Sequence, residues 1–305
     1  MKIALTGGTG FIGRYIIENF RSQGDHLNCW RRPQTPLPPA LEGDPLLEWV
    51  NGDLQDGQTA ADLVKDCEAV IHNAFWKPGK RFQGEEGDIV KFVETNLIGS
   101  LKLIESAIAA GAKKFIFVST CAVHENILGD RKLDEAHPLW PKTHYGAHKA
   151  AIEKFVHSYG FGQGFDICAV RPTGVYGLHH EPGKSKWYDL IAKIVQQQDV
   201  HCERGGKEVH ARDVAESIRK LLTHRNTAGE VYSCYDRYVS QFEVAVLAKE
   251  FSGSASRITG ERTRPQHEID STKIKSIGME FGGTDLLAET VKAILKHVDV
   301  KTHVD

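Results

Sequence analysis

The chain begins with a short apolar stretch that leads directly into glycines, Ile3-Ala4-Leu5-Thr6-Gly7-Gly8-Thr9-Gly10-Phe11-Ile12-Gly13. The apolar residues predict a buried strand, and the apolar spacing from Phe11 onward predicts a helix. The glycines therefore lie in a strand–turn–helix junction. Gly7 can adopt the positive φ of a tight turn, Gly10 lets the backbone approach a ligand, and Gly13 lets the helix pack on the strand.

This turn predicts a site for the pyrophosphate of a dinucleotide. A helix N-terminus offers backbone N–H groups and a partial positive charge to phosphate oxygens. A glycine pattern alone is a weak signal, but its position between a strand and a helix makes it specific. We therefore predict that the cofactor binds at Gly7, Gly10, Phe11, Ile12 and Gly13; the alternative is a tight turn with a structural role only.

Strands and helices alternate through residue 171, which predicts an α/β fold with a doubly wound parallel sheet. After Pro172 the alternation loosens, and the pattern predicts helices at 187–197, 211–223, 241–250 and 285–297. We expect a dinucleotide-binding domain over residues 1–172, joined by a returning strand near 229–235. Residues 173–305 are expected to form mainly a smaller substrate-binding lobe.

Composition excludes several classes of partner. The 305 residues include 38 basic and 40 acidic side chains, a net charge of −2. This balance gives no general attraction to nucleic acid or to an anionic membrane. No apolar run has the length of a membrane span, and the N-terminus does not resemble a secretory signal. Six scattered cysteines predict reduced thiols in the cytoplasm. His144 and His148 share a helical spacing that could bind a metal, but no carboxylate or cysteine stands at a matching spacing, so we predict no metal site.

The end of the second strand indicates which dinucleotide binds. NAD sites usually place a carboxylate there for the ribose 2′-hydroxyl. The segment Asn28-Cys29-Trp30-Arg31-Arg32-Pro33 has none, and the guanidinium groups of Arg31 and Arg32 suit a phosphate. We therefore predict NADP, with NAD as the alternative; the two arginines could also be solvated residues of a loop.

Two other predicted strand ends offer cofactor contacts. Asp53 follows the third strand and could accept a hydrogen bond from the adenine amino group, or it could cap the next helix. Asn73 and Ala74 end the fourth strand. Their small side chains leave room for a cofactor that lies across the ends of the strands.

Chemistry is predicted where Tyr145 and Lys149 stand four residues apart, on one face of a helix. A phenol with a pKa of ~10 transfers protons at neutral pH only if a nearby positive charge lowers that pKa. Tyr145 could then act as the acid or base, and Lys149 could also hold the nicotinamide ribose. Ser119 and Thr120, after the fifth strand, are both candidates to orient a substrate oxygen, or to cap the following turn.

Together these segments resemble the extended short-chain dehydrogenase/reductase family, the NAD(P)-dependent epimerase/dehydratase group. The matching segments occur in the family's order at residues 6–13, 52–54, 72–74, 96–99, 118–123, 145–149, 171–177 and 212–215. The resemblance implies a Rossmann-type fold with a smaller C-terminal substrate lobe and a homodimer formed through two long helices. The residues it implies for catalysis are Thr120, Tyr145 and Lys149; those it adds to the cofactor site are Leu54, Asn96, Val118, Pro172 and Val175.

The chain departs from the family in three places. The segment after the sixth strand, Arg171-Pro172-Thr173-Gly174, lacks the Asn that meets a nucleotide diphosphate in sugar-nucleotide enzymes of the group. His124 and Glu125 follow Val123 where a Tyr is usual. Cys121 and Ala122 stand where dehydratases carry an Asp-Glu pair. The first two departures disfavour a nucleotide-sugar substrate, and the third disfavours dehydration.

Three hypotheses follow. The first is an NADP-dependent oxidoreductase that transfers hydride between nicotinamide and a secondary alcohol or ketone, for example a sugar or another polar carbonyl compound. The second is a sugar-nucleotide epimerase that keeps its NAD(P) tightly bound. The third is a non-catalytic dinucleotide-sensing protein, which the presence of both Tyr145 and Lys149 disfavours.

Overall fold

A computed structural model describes residues 1–38, 41–79 and 85–298. The chain divides into two compact units. The first contains Met1–Pro172, Val214–Cys234 and Ile269–Met279, and the second contains Thr173–Asp213, Tyr235–Glu268 and residues 280–298. Among the described helices, none combines the length and the apolar character that crossing a bilayer requires.

Strands and helices alternate along most of the chain. The strands are β1 (Lys2–Thr6), β2 (His26–Arg31), β3 (Leu47–Asn51), β4 (Ala69–His72), β5 (Lys114–Val118), β6 (Ile167–Pro172), β7 (Gly174–Tyr176), β8 (Val200–Cys202), β9 (Gly205–His210), β10 (Val231–Cys234), β11 (Arg237–Ser240) and β12 (Ile258–Gly260). The α-helices are α1 (Phe11–Arg21), α2 (Gly57–Val64), α3 (Ile89–Val93), α4 (Gly99–Ala109), α5 (His144–His157), α6 (Tyr188–Val195), α7 (Ala211–Thr223), α8 (Gln241–Ser252), α9 (Thr272–Ser276) and α10 (Gly283–Leu295).

The first unit is built on a seven-stranded sheet in the order β10-β6-β5-β4-β1-β2-β3. Every neighbouring pair is parallel, so the predicted Rossmann-type parallel sheet is confirmed. The chain proceeds from β1 outward to β2 and β3, and then returns to place β4 on the other side of β1. The carboxyl ends of the strands therefore meet at one edge around this reversal, where open α/β sheets bind their ligands.

Burial explains why the central strands form. Every residue of β4, β5 and β6 is buried, as expected for a parallel sheet that helices cover on both faces. The apolar cluster on one side joins these strands to α2, α4 and α5 through side chains such as Leu63, Leu103, Phe115 and Ile152. The result is a rigid frame beneath the carboxyl edge.

The helical segment that precedes β5 is not a regular α-helix. It consists of α3, a π-helical turn over Glu94–Ile98, and α4. A Cβ on Gly99 would lie 2.2 Å from the Leu54 carbonyl oxygen, so this glycine permits the helix to lie directly against the loop after β3. A π-helical turn inside a helix often accompanies a functional site.

The second unit has its own small sheets and its own core. Strands β7, β9 and β11 form one sheet, and β8 pairs with β12. Helices α6, α8 and α10 bury an apolar cluster that includes Ile191, Val244 and Leu287. The sequence predicted helices near these positions but not the short strands, which have only three to six residues each.

Candidate active site

The glycine turn leaves no room for a side chain at Gly7 or at Gly13. Gly7 has φ of +73°, and a Cβ on it would lie 2.9 Å from the backbone of Asn73. A Cβ on Gly13 would lie 2.1 Å from the Gly7 carbonyl oxygen. Helix α1 starts at Phe11, and its N-cap residue is Gly10, so no side chain caps the helix N-terminus. A backbone cradle at an uncapped helix N-terminus suits a pyrophosphate.

The hydroxyl of Thr6, directly before the glycine turn, forms hydrogen bonds with the end of β4. Thr6 Oγ1 accepts the backbone N–H groups of Asn73 and Ala74 at 3.1 and 3.0 Å. Its own proton is then directed to His72 Nδ1 at 2.7 Å, which leaves the histidine proton on Nε2, 2.8 Å from Ser100 Oγ. Burial lowers the pKa of His72 to about 3, so the ring is neutral at ordinary pH.

Asn96 lies in the π-helical turn and holds the loop that follows β4. Its side-chain amide donates to the carbonyl oxygens of Trp76 and Phe92 at 3.0 and 3.1 Å. Its Oδ1 accepts the Trp76 N–H at 2.8 Å. The amide is thus occupied by backbone groups, and the predicted role of Asn96 at the cofactor would act through this loop.

The predicted adenosine contacts differ in their surroundings. Arg31 is half-buried at the end of β2, and its Nε is buried with no hydrogen-bond partner among the described residues. Arg32 is exposed. Asp53 Oδ1 accepts the Gln55 N–H at 2.8 Å, but the N-cap of α2 is Asp56, so the alternative that Asp53 caps the next helix is wrong. Leu54 is buried.

Tyr145, Lys149 and Thr120 come together where β5 meets α5. The hydroxyl groups of Tyr145 and Thr120 share a hydrogen bond; burial raises the pKa of Tyr145, and this bond acts to lower it. Lys149 Nζ donates to the Val118 carbonyl oxygen at 2.8 Å and lies 4.5 Å from the centre of the Phe117 ring. Burial lowers the pKa of Lys149 to about 7, and the charge of Glu153 acts to raise it.

The two hydroxyls that the sequence offered as candidates, Ser119 and Thr120, have different hydrogen-bond partners. Ser119 is buried and donates to Glu153 Oε1 at 2.5 Å. Thr120 accepts the Ala122 N–H at 3.1 Å as a cap of the following turn and also contacts Tyr145. The geometry therefore favours Thr120 as the hydroxyl beside the phenol, as the family resemblance implied.

An aromatic wall beside the phenol is absent from the sequence predictions. The Phe75 ring lies 5.0 Å from Tyr145 and 5.7 Å from both Phe92 and His148, measured between ring centres. Within the described residues His148 Nδ1 is buried and has no hydrogen-bond partner, and burial holds the pKa of this imidazole well below its usual range. The available signal was the position of Phe75 directly after the Asn73-Ala74 strand end.

The departures from the family pattern have defined contacts. One oxygen of Glu125 accepts the Lys142 and Thr143 N–H groups at 2.5 and 2.9 Å and the Thr143 hydroxyl at 3.0 Å, which fixes the start of α5. Cys121 is half-buried, and its thiol donates to the Arg171 carbonyl oxygen at 3.1 Å. Neither Cys121 nor Ala122 can supply the carboxylate that stands at these positions in dehydratases.

The remaining predicted contacts divide between the units. Pro172 is buried at the end of β6 in the first unit. Val175 lies in β7 of the second unit, where it pairs with Val209 of β9. Their predicted place beside one carboxamide stays a prediction.

One potential metal-ligand group occurs in the part of the chain that the structure describes. Ligand atoms of His179, His180 and Glu181 lie within 4.8 Å of one another. His179 Nδ1 accepts the Glu181 N–H at 3.0 Å, and the Glu181 carboxylate forms an ion pair with Lys184 at 2.7 Å. These bonds already use much of the donor set.

Comparison with known proteins identifies the fold and the family. Residues 3–234 match the pattern described as the NAD dependent epimerase/dehydratase family. The chain is 33% identical to a dTDP-D-glucose 4,6-dehydratase of Mus musculus over 304 residues, which cover 91% of this chain and 83% of that protein.

Two solved structures share the fold. A UDP-glucose 4-epimerase of Thermotoga maritima, solved with UDP-glucose, is 22% identical with a TM-score of 0.79, over 98% of this chain and 100% of that one. A dTDP-glucose 4,6-dehydratase of Streptomyces venezuelae, solved with NAD, is 23% identical with a TM-score of 0.75, over 96% of both chains.

Proposed function

Because the chain belongs to the NAD dependent epimerase/dehydratase family, we propose that it is a sugar-nucleotide epimerase. This was the second hypothesis from the sequence, and the sugar-nucleotide enzymes among the relatives support it over net oxidation of a simple alcohol. The observation that carries it is the meeting of Thr120, Tyr145 and Lys149 at the edge that bears the glycine turn. A hydride taken from a carbinol carbon would be returned to its other face.

Each side chain has a defined part in this proposal. The nicotinamide, when bound, supplies the hydride acceptor and donor. Tyr145 takes the hydroxyl proton as the carbon is oxidised and returns it as the carbon is reduced, so protons and electrons balance over the cycle. The ammonium of Lys149 stabilises the phenolate, which burial alone disfavours. Thr120 orients the substrate oxygen.

Dehydration is not part of the proposal, although close relatives are dehydratases. Elimination of water from a keto sugar needs one group to remove a proton and another to protonate the leaving hydroxyl. Cys121 and Ala122 provide neither at the positions where the family places them. We therefore expect no 4-keto-6-deoxy product when the protein is given dTDP-glucose.

We further propose that NADP is preferred, with NAD as the alternative. Arg31 Nε at the end of β2 supports this, because it is buried without a hydrogen-bond partner in the described parts of the chain and a phosphate on the adenosine ribose would satisfy it. The related dehydratase was solved with NAD, so the proposal separates this chain from that relative. Dissociation constants for NADPH and NADH, measured by fluorescence of the reduced cofactor, test it; tighter binding of NADH contradicts it.

The reaction itself is tested by incubating the purified protein with UDP-glucose and with dTDP-glucose, with and without added cofactor. Proton NMR of the sugar should show a new epimer, while the absorbance of reduced nicotinamide stays constant. A steady, stoichiometric rise of that absorbance with added NADP would instead favour the first hypothesis, net oxidation. No turnover of either sugar, together with tight cofactor binding, would favour the dinucleotide sensor.

We also propose a homodimer that uses the α3–α4 and α5 faces. Apolar side chains are exposed along this surface: Ile89, Val90, Val93, Ile98 and Phe155. Val90 is 63% exposed, and residues spaced in this way form one stripe of a helix. Light scattering should give a dimer mass for the native protein and a monomer mass for Val90→Lys, whereas Val246→Lys on α8 serves as the control. A native monomer contradicts the proposal.

A further inference from the structure

Three consecutive residues at the end of β5 are each bound to a different residue of α5. The pairs are the Val118 oxygen with Lys149 Nζ at 2.8 Å, Ser119 Oγ with Glu153 Oε1 at 2.5 Å, and the Thr120 hydroxyl with that of Tyr145. The three helix residues are spaced by four, so they lie along one face of α5. We call these contacts the β5–α5 pairs. Two of them contain the predicted catalytic groups, and the third, with Glu153, has no assigned role.

Glu153 is fixed by a second buried charge. Its side chain is 0% exposed, and that of Arg171 in β6 is 1% exposed. Arg171 Nε donates to Oε1 at 2.9 Å and Nη2 donates to Oε2 at 2.7 Å, a two-point contact that holds the carboxylate in one orientation. Removing one member of such a pair leaves an uncompensated buried charge.

His124 completes the contact at the other end of the guanidinium. Arg171 Nη1 donates to His124 Nε2 at 3.1 Å, so this ring nitrogen acts as an acceptor. His124 stands where the family usually has Tyr. The Arg171 backbone oxygen also accepts the Cys121 thiol at 3.1 Å. Arg171 therefore contacts residues on both sides of Ala122, in the turn that follows Thr120.

We propose that Glu153, held by Arg171 and His124, is a positioning residue that fixes the register of α5 on β5 and so keeps the Tyr145 phenol at Thr120. Tyr145 and Glu153 are two helical turns apart, about 12 Å at the α-helical rise. Contacts at both ends of this face prevent α5 from sliding or rotating, which a single contact would not. In this proposal the Ser119 hydroxyl holds α5 in register on β5 by binding Glu153, and it does not contact substrate. The positioning role of Glu153 does not depend on the proposed function; only its expected effect on turnover rests on that function.

The register is tested without substrate or cofactor by ¹⁹F NMR of the full chain labelled with 3-fluorotyrosine. The Tyr145 signal is the one lost in Tyr145→Phe. Ser119→Ala removes only the tethering hydroxyl, and we expect it to shift or broaden that signal. Val156→Ala is the control, because Val156 is buried on the same helix but outside the β5–α5 pairs. It should lower the melting temperature and leave the Tyr145 signal in place.

A second variant, Glu153→Gln, keeps the shape of the side chain and removes the charge that faces Arg171. If it folds, it should move the Tyr145 signal further than Ser119→Ala does; if it does not fold, Ser119→Ala remains decisive. An unchanged Tyr145 signal in Ser119→Ala, or an equal change in Val156→Ala, overturns the proposal. Once a substrate is known, Ser119→Ala should lower kcat about tenfold with KM unchanged. Because the NMR result needs no turnover, it is independent of whether the protein is an epimerase.

Discussion

Two junctions between a strand and a helix serve the same edge of the same sheet in opposite ways. Where β1 turns into α1, the candidate cofactor site consists of backbone, and any side chain at Gly7 or Gly13 would collide with that backbone. Where β5 meets α5, the candidate site consists of side chains on one face of α5, and Tyr145, Lys149 and Glu153 each bond to a residue at the end of β5. A ligand that is mostly phosphate needs close approach, whereas proton transfer needs a few groups held in register.

From this contrast we predict that removing one functional atom at the β5–α5 junction lowers the rate of turnover strongly and the stability of the fold little. Tyr145→Phe should lower kcat about 10³-fold, because it removes the hydroxyl proposed to move the proton. The matched control is Tyr159→Phe, which removes a hydroxyl bonded to Glu105 just beyond the end of α5. Turnover of the identified substrate and the melting temperature are measured for both. Equal rates in the two variants would remove Tyr145 from the mechanism.

The β1–α1 junction should respond in the reverse way, to an atom added rather than removed. In Gly13→Ala the new Cβ would lie 2.1 Å from the Gly7 oxygen, so the turn must shift. We expect a cost of about 2 kcal/mol, typical of overpacking, and cofactor binding weaker by roughly thirtyfold. Gly162→Ala, beyond the end of α5 with open space around it and no positive φ, should leave the dissociation constant unchanged. Native affinity in Gly13→Ala would mean that the turn does not hold the cofactor.

At the end of β2, a side chain rather than backbone is proposed to contact the cofactor. Arg31→Ala should weaken binding of NADPH about tenfold, the usual scale of a charged hydrogen bond, and leave NADH binding unchanged. Arg32→Ala provides the comparison, since Arg32 is exposed. The two dissociation constants for each variant decide the matter. If Arg31→Ala weakens both cofactors equally, Arg31 supports the fold and does not read the ribose phosphate.

The smallest effect concerns the neutral histidine beneath the glycine turn. Because the folded pKa of His72 is about 3 and the unfolded value is 6.5, only the unfolded chain takes up this proton between these values. Stability should therefore fall with pH below 6.5 by about 1.4 kcal/mol per pH unit from this group. Urea unfolding is measured at about pH 7 and about pH 5.5. The free energy of unfolding should depend less on pH in His72→Gln than in the native protein, and it should keep the native pH dependence in the exposed control His26→Gln. The same slope in all three proteins would contradict the burial argument.

The sequence predicted most of the first unit because its determinants are local. Alternating strand and helix patterns and the glycine turn each lie within a short stretch of chain, and the parallel sheet and the family are both confirmed. The π-helical turn was not predicted, since Asn96 holds it through a loop 20 residues away. The strands of the second unit were missed because three-residue strands such as β7 and β8 are too short to show a period.

The candidate site was predictable in part, for the same reason. Tyr145 and Lys149 form a local motif, so their spacing is visible. Ser119 and Thr120 could not be distinguished, because the carboxylate that binds Ser119 lies 34 residues further along the chain. The Glu153 contact with Arg171 joins residues 18 positions apart in different elements, and a buried ion pair has no signature in composition. Contacts between distant segments are decided by packing, which local patterns do not record.

Cys121 gives the molecule an intrinsic label. All six thiols lie in the described residues, none is in a disulfide, and Cys121 alone is half-buried while the other five are buried. An alkylating reagent in limited amount should therefore react first at the residue next to Thr120, and a molecule seated over that hydroxyl should slow the reaction. Mass spectrometry of the alkylated peptide would then report occupancy of the site for any candidate compound, before a single turnover has been detected.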